Sequence, residues 1–124
     1  VRSRDERGST ELVMALPVAF AMIMGVFQIG LWAHAQQRAD AIAHQAVAAA
    51  RTYDATAATG RRAGEQAITQ LGGNLLRQPH VRVVRTPGQA RATARADVLS
   101  IVPGWHPSVE AVARGPVERT EAPA

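Results

Sequence analysis

Residues 12–33 read LVMALPVAFAMIMGVFQIGLWA, an uncharged apolar run behind the arginine-rich head VRSRDERGST and Glu11. As an α-helix rising ~1.5 Å per residue, the run reaches ~33 Å, enough to cross the hydrocarbon core of a bilayer. Arg2, Arg4 and Arg7 crowd its N-terminal side, and beyond it Arg38 is the sole arginine before Arg51. This asymmetry places the N-terminus in the cytoplasm and the remainder outside, with Trp32 as an interfacial residue at the far end. The expected division is a cytoplasmic basic leader at 1–11, a transmembrane helix at 12–33, an extracytoplasmic domain at 34–115 and a flexible tail at 116–124. Ala33 and Ala35 also match the small-x-small pattern of a signal-peptidase site. The run is long for a secretory signal, however, and a helical pattern follows it, so an uncleaved anchor is the preferred reading.

Two residues in the run are costly in lipid. Pro17 lacks a backbone N–H and should kink or locally open the helix. Gln28 carries an amide that needs a partner, as interhelical hydrogen bonds can supply. Ala21 and Gly25 form a small-xxx-small pair that would let a second helix approach. Together they predict a helix that packs against other helices rather than a passive tether.

Past the run there is neither Pro nor Gly until Gly60, and alanine dominates. Ala35, Ala39, Ile42, Ala46, Ala49, Tyr53 and Ala57 recur at spacings of three and four, while Gln37, Asp40, His44 and Arg51 take the opposite face. The pattern predicts one helix over 9–58, lipid-embedded and then amphipathic. A second helix is expected over 61–76, capped by Thr59, packed through Gly64, Ile68, Leu71 and Leu75, and stopped by Pro79.

The remainder reads as strands. Residues 80–86 contain VRVVR, Pro87-Gly88 is a turn signal, and Ala90, Ala92, Ala94, Ala96 and Val98 alternate with Arg91, Thr93, Arg95 and Asp97. A strict period of two marks a half-buried antiparallel strand, and its tiny buried side chains require a close neighbour, for which the long helix is the candidate. A third strand over 109–114 buries Val109, Ala111 and Ala113. Between these strands, Leu99, Ile101, Val102 and Trp105 either cap the core or touch the membrane or a neighbouring subunit. The fold class is α+β: a long N-terminal helix whose transmembrane half continues into a soluble half, a short second helix, and a small antiparallel sheet packed on the long helix.

Composition narrows the function. The chain has 124 residues, a net charge of +4 and no cysteine, so it has no disulfide, thiolate ligand or thiol nucleophile. Its basic residues other than histidine are all arginine, spread along the chain with few aromatics to stack on bases, which makes nucleic acid an unlikely partner. His34, His44, His80 and His106 form no HxxxH or HExxH pair, so no metal or other cofactor is expected. Phosphate-cradling glycine loops and nucleophile elbows are absent from the sequence, and Glu65, Asp97 and Glu110 do not read as an acid/base pair. An enzyme is therefore not expected, and no catalytic residue is assigned.

At the membrane run the motif becomes specific. Gly8-Ser9-Thr10-Glu11 opens the helix, Pro17 follows, and Gly25-Val26-Phe27-Gln28-Ile29-Gly30 comes later; Ala49-Ala50-Arg51 closes the alanine-rich helix. Residues 8–51 so resemble the TadE-like proteins of tight-adherence (Tad/Flp) pilus systems. The resemblance implies a structural minor pilin or pseudopilin of a type IV-like pilus or related secretion assembly, serving pilus biogenesis and surface adhesion. It implies a single-pass protein of the cytoplasmic membrane, whose partners are other pilin or pseudopilin subunits and assembly-platform proteins. A prepilin peptidase would cut between Gly8 and Ser9, leaving Glu11 as the helix-start carboxylate for subunit assembly, closer to the cut than in ordinary pilins. Pro17, Ala21, Gly25, Gln28 and Gly30 would serve helix packing in the membrane. The macrodipole near a helix N-terminus is an equally good local account of Glu11. The alternative function is a membrane-tethered binding module that grips acidic surface polymer or DNA through an arginine-rich face.

Overall fold

A single helix, α1, runs from Arg2 to Arg51 through the apolar run and the alanine-rich segment. The computed structural model describes residues 2–118, with side chains from Gly8 onward. After α1 come α2 (Ala57–Leu71), β1 (Leu76–Arg85), β2 (Gln89–Val98) and β3 (Ser108–Pro116). The strands form one antiparallel sheet in the order β1-β2-β3. This is the α+β architecture expected from the sequence.

The sheet packs on the distal half of α1. Ala35, Ala39, Ile42, Ala43, Ala46, Val47 and Ala50 of the helix are buried, as are Ala90, Ala92, Ala94, Ala96 and Val98 of β2 and Val109, Ala111 and Ala113 of β3. Alanine faces alanine across this layer, which lets the helix and sheet backbones approach closely. Each small side chain removes little apolar area from water, so the core gains by closeness and number rather than by bulk. The helix α2 is also glycine-packed. A Cβ on Gly60 would lie 2.7 Å from the Ala50 Cβ and 2.8 Å from the Ala46 carbonyl oxygen, and one on Gly64 would lie 2.8 Å from Val81 Cγ2.

Several boundaries differ from the sequence expectation, some because a tertiary contact wins and one because of a local cap. The long helix stops at Arg51 rather than continuing to Ala58, so Tyr53 and Ala57 leave the predicted stripe. Its last carbonyls have partners elsewhere: Ala50 accepts from Arg85 Nε at 2.8 Å and Arg51 from the Glu118 N–H at 2.8 Å. The Thr52 hydroxyl turns back to the Ala49 carbonyl, and Asp54 takes a left-handed φ of 67°. The next helix begins at Ala57, and Thr56, not Thr59, is its N-cap; the two threonines form a reciprocal capping box. That helix ends at Leu71, where Arg38 Nη1 donates to the Leu71 carbonyl at 2.7 Å. Pro79 does not stop a helix. It lies inside β1, which starts at Leu76, at the register shift between Arg77 and His80 where Gln78 has φ 49°. At the far end β3 includes Pro116, and the Val117 N–H donates to the Gly88 carbonyl. The rest of the expected tail, 119–124, lies outside the described residues, as do the side chains of Arg2, Arg4 and Arg7.

Candidate functional site

The proximal half of α1 is bare. The large apolar side chains from Leu12 to Ile29 are 54–70% exposed, apart from the half-buried Met24. This is one helix long and apolar enough to cross a membrane, and it fits a single-pass anchor. Helix formation needs no partner here, because every intrahelical bond is local. At Pro17 the ladder loses the N–H that would meet the Val13 carbonyl, yet the helix is continuous through it.

Gln28 ends the bare region. It is 0% exposed. Its Nε2 donates to the Leu99 carbonyl at 3.0 Å, and its Oε1 accepts from the Ile101 N–H at 2.7 Å. The sequence predicts a helix partner for this amide; the partner is the loop between β2 and β3 of the same chain. A turn above, Trp32 Nε1 donates to the Ser108 carbonyl at 3.1 Å, and Gln36 Nε2 to the Glu110 carbonyl at 3.0 Å. At the opposite end of the sheet, Arg51 Nε donates to the Pro116 carbonyl at 2.8 Å. Strand β3 is thus laced to α1 along its length by side chains of the helix reaching backbone carbonyls of the strand. A signal-type cut at 33–35 would remove Gln28 and Trp32 from this lacing.

The other residues singled out from the sequence fall in three groups. At ~100° per residue, Pro17, Ala21, Gly25 and Gln28 lie within ~80° of arc on α1. Gly25 is half-buried and Ala21 exposed, with nothing within 4 Å of where a Cβ on Gly25 would sit. Gly30 lies ~160° away on the far side of the helix. Gly8, Ser9 and Glu11 are exposed near its start, with Glu11 ~100° round from Gln28. Because α1 extends upstream to Arg2, Glu11 is not in its first turn, and the macrodipole account of this carboxylate does not apply to the intact helix.

A second surface was hidden in the sequence. Strand pairing aligns Val84, Arg91 and Arg114 in one cross-strand row, Arg82, Thr93 and Val112 in the next, and His80, Arg95 and Glu110 in a third. These residues point away from α1, and all of them but Val112 and Arg114 line a shallow groove that includes Arg82, Arg91 and Arg95. Arginines far apart in sequence thereby become one cationic face with Val84 and Val112 exposed between them. Among the described residues only Arg95 has an acidic partner on it, Glu110 at 3.4 Å, with both side chains mostly solvated. By contrast Arg38, Arg51 and Arg85 are taken up by backbone carbonyls. The strand alternation alone could have shown that the arginines of β2 share a face, but not which residues of β1 and β3 join them. Among the described residues no group of three or more metal-ligating side chains is gathered; His34, His44, His80 and His106 are all exposed, the first two on α1, His80 on β1 and His106 in the loop after β2.

The architecture is that of a small α+β head carried on a single-helix anchor. Residues 8–48 match the family model of the TadE-like protein, the family that the motifs of the anchor resemble. The matched span covers the bare anchor, the Gln28 contact and most of the sheet-binding face of α1. No curated protein and no solved structure matches the chain.

Proposed function

We propose that this protein is a structural, membrane-anchored minor pilin or pseudopilin of a tight-adherence type IV-like pilus or related secretion assembly. The observation that carries this reading is the division of labour along α1. Above Gln28 its inner face is covered by its own sheet and by α2. Below Gln28, the same face presents Pro17, Ala21 and Gly25, small or kink-forming residues open to a second helix, and the TadE-like match spans both halves. A plain tether needs neither the proline nor the small pair. The N-terminus lies in the cytoplasm and the head outside, as the arginines flanking the run favour. Processing between Gly8 and Ser9 would bring Glu11 into the first turn of the shortened helix, where a carboxylate is stabilised by the helix N-terminus and can meet a neighbouring subunit's new amine.

Intact-mass measurement of the native protein, with recovery of partners from detergent-solubilised membranes, tests this. A mass beginning at Ser9 and recovery with other pilus components are expected. A start near Gln36 would overturn the anchor, and a full-length mass would overturn processing.

The cationic face favours a second reading, a tethered module that holds an acidic surface polymer. Exposed valines rather than aromatics sit among its arginines, which suits backbone-charge recognition and offers no platform for base stacking. Salt-sensitive retention on an acidic polysaccharide, lost in R91E/R114E, would support it. Retention unchanged in that variant would remove it.

A further inference from the structure

The loop at 99–107, LSIVPGWHP, connects β2 to β3 at the end of the sheet nearest the apolar half of α1. We propose that this loop is a second membrane contact, seated in the lipid interface on the head's side of the bilayer; the proposal rests on the reading of residues 12–33 as a spanning anchor.

Depth along α1 carries the argument. If the hydrocarbon begins at Leu12, Gln28 lies ~24 Å along the helix and Trp32 ~30 Å, against a hydrocarbon core of ~30 Å. Gln28 is therefore short of the far boundary, and the backbone it binds, at Leu99 and Ile101, is held at that depth. The loop cannot stand clear of the membrane while these bonds persist.

Its chemistry suits that position. It contains no Arg, Lys, Asp or Glu, while the strands on both sides of it are charged. Non-helical backbone at membrane depth needs its polar groups satisfied within the protein. The Leu99 N–H donates to the Leu75 carbonyl, that of Ile101 to Gln28, and that of Trp105 to the Val102 carbonyl. The Ser100 hydroxyl sits between the Val102 and Trp105 carbonyls. Pro103 and Pro107 have no N–H to satisfy, and Gly104, at φ 80°, makes the reversal. Trp105 is 41% exposed, as is Trp32 at the same end of the head. Indole rings with one apolar edge and one N–H concentrate at this level of a bilayer.

Trp32 and Trp105 are the chain's two tryptophans, so single-Trp variants report each position. The full chain, as W32F and as W105F, is reconstituted into phosphatidylcholine vesicles, with circular dichroism as the check on folding. Emission is read against lipids brominated near the headgroup end of the acyl chain and against aqueous acrylamide. Because the chain has no cysteine, V102C carrying an NBD label gives a measurement that leaves both tryptophans in place. Both Trp32 and Trp105 should lose fluorescence to the shallow bromines, Trp105 should be shielded from acrylamide, and NBD at 102 should shift to the blue on insertion. If Trp32 senses bromine while Trp105 and the label do not, the loop contact is wrong and the anchor stands. If neither tryptophan senses bromine, the anchor and the loop contact fall together. Shielding of Trp105 that follows the protein-to-lipid ratio without bromine quenching would assign the loop to a second copy of the chain and overturn the proposal.

Discussion

The N–H of Ile101 donates to Oε1 of Gln28 at 2.7 Å across 73 residues of sequence. The bond fastens the loop between β2 and β3 to the one amide in an otherwise apolar helix run. It accounts for a polar residue where lipid would penalise one, because both ends of the amide are satisfied inside the chain.

Gln28→Leu should leave the anchor more apolar and the head less stable. The Leu99 carbonyl and the Ile101 N–H would lose their partner, and an unsatisfied buried polar group costs about 1–3 kcal/mol. Thermal unfolding in detergent micelles should shift down, with faster hydrogen exchange at Ile101. An unchanged melting curve would mean that the contact contributes nothing to stability.

Gly60→Ala should destabilise the head by about 1–3 kcal/mol, the usual range for overpacking, despite alanine's better helix propensity. The obstacle is the Ala46 carbonyl oxygen, 2.8 Å from the new Cβ, which is backbone and cannot rotate away. Gly88→Ala is the control: nothing lies within 4 Å of its Cβ position. Chemical denaturation of both variants, side by side, checks the difference.

Arg51→Met keeps most of the aliphatic stem but removes the donor to the Pro116 carbonyl and a cation from the last turn of α1. A loss of about 0.5–1.5 kcal/mol follows for one such hydrogen bond. The loss should be confined to the membrane-distal end. Hydrogen exchange that rises at Val117 and Glu118 but not at Ile101 is the expected pattern; uniform loosening would contradict it.

Glu11→Ala should insert in the membrane as the parent does, since the apolar run is untouched, but should recover fewer pilus partners on purification. Unchanged partner recovery would exclude an assembly role for this carboxylate.

Much of the fold was written in periodicity. The alternation from Ala90 to Val98 gave β2 with its buried face, and the stripe from Ala35 to Ala46 gave the helix face that covers it. What escaped the sequence depends on contacts between distant residues. Nothing local to Arg51 announces the end of α1; Arg85 and Glu118 occupy carbonyls there. Thr59 looks like a cap as good as Thr56 until the helix start is known. Gln28 was legible as an amide needing a partner, but its partner lies in a loop whose position follows from the whole sheet. An arginine-rich face could be read from the alternation of β2, but its membership could not: Arg82, Arg91 and Arg114 become neighbours only through strand register.

The lacing of β3 to α1 has a mechanical meaning. A strand fastened at Gln36 and Arg51, with its entry held at Gln28 and Trp32, cannot swivel about the helix. Head and anchor turn as one body. Any contact that sets the rotation of residues 12–27 in the plane of the membrane therefore also sets the compass bearing of the arginine rows outside it. A single-residue insertion between Phe20 and Gly25 would swing that bearing by ~100°, leaving every contact within the head intact.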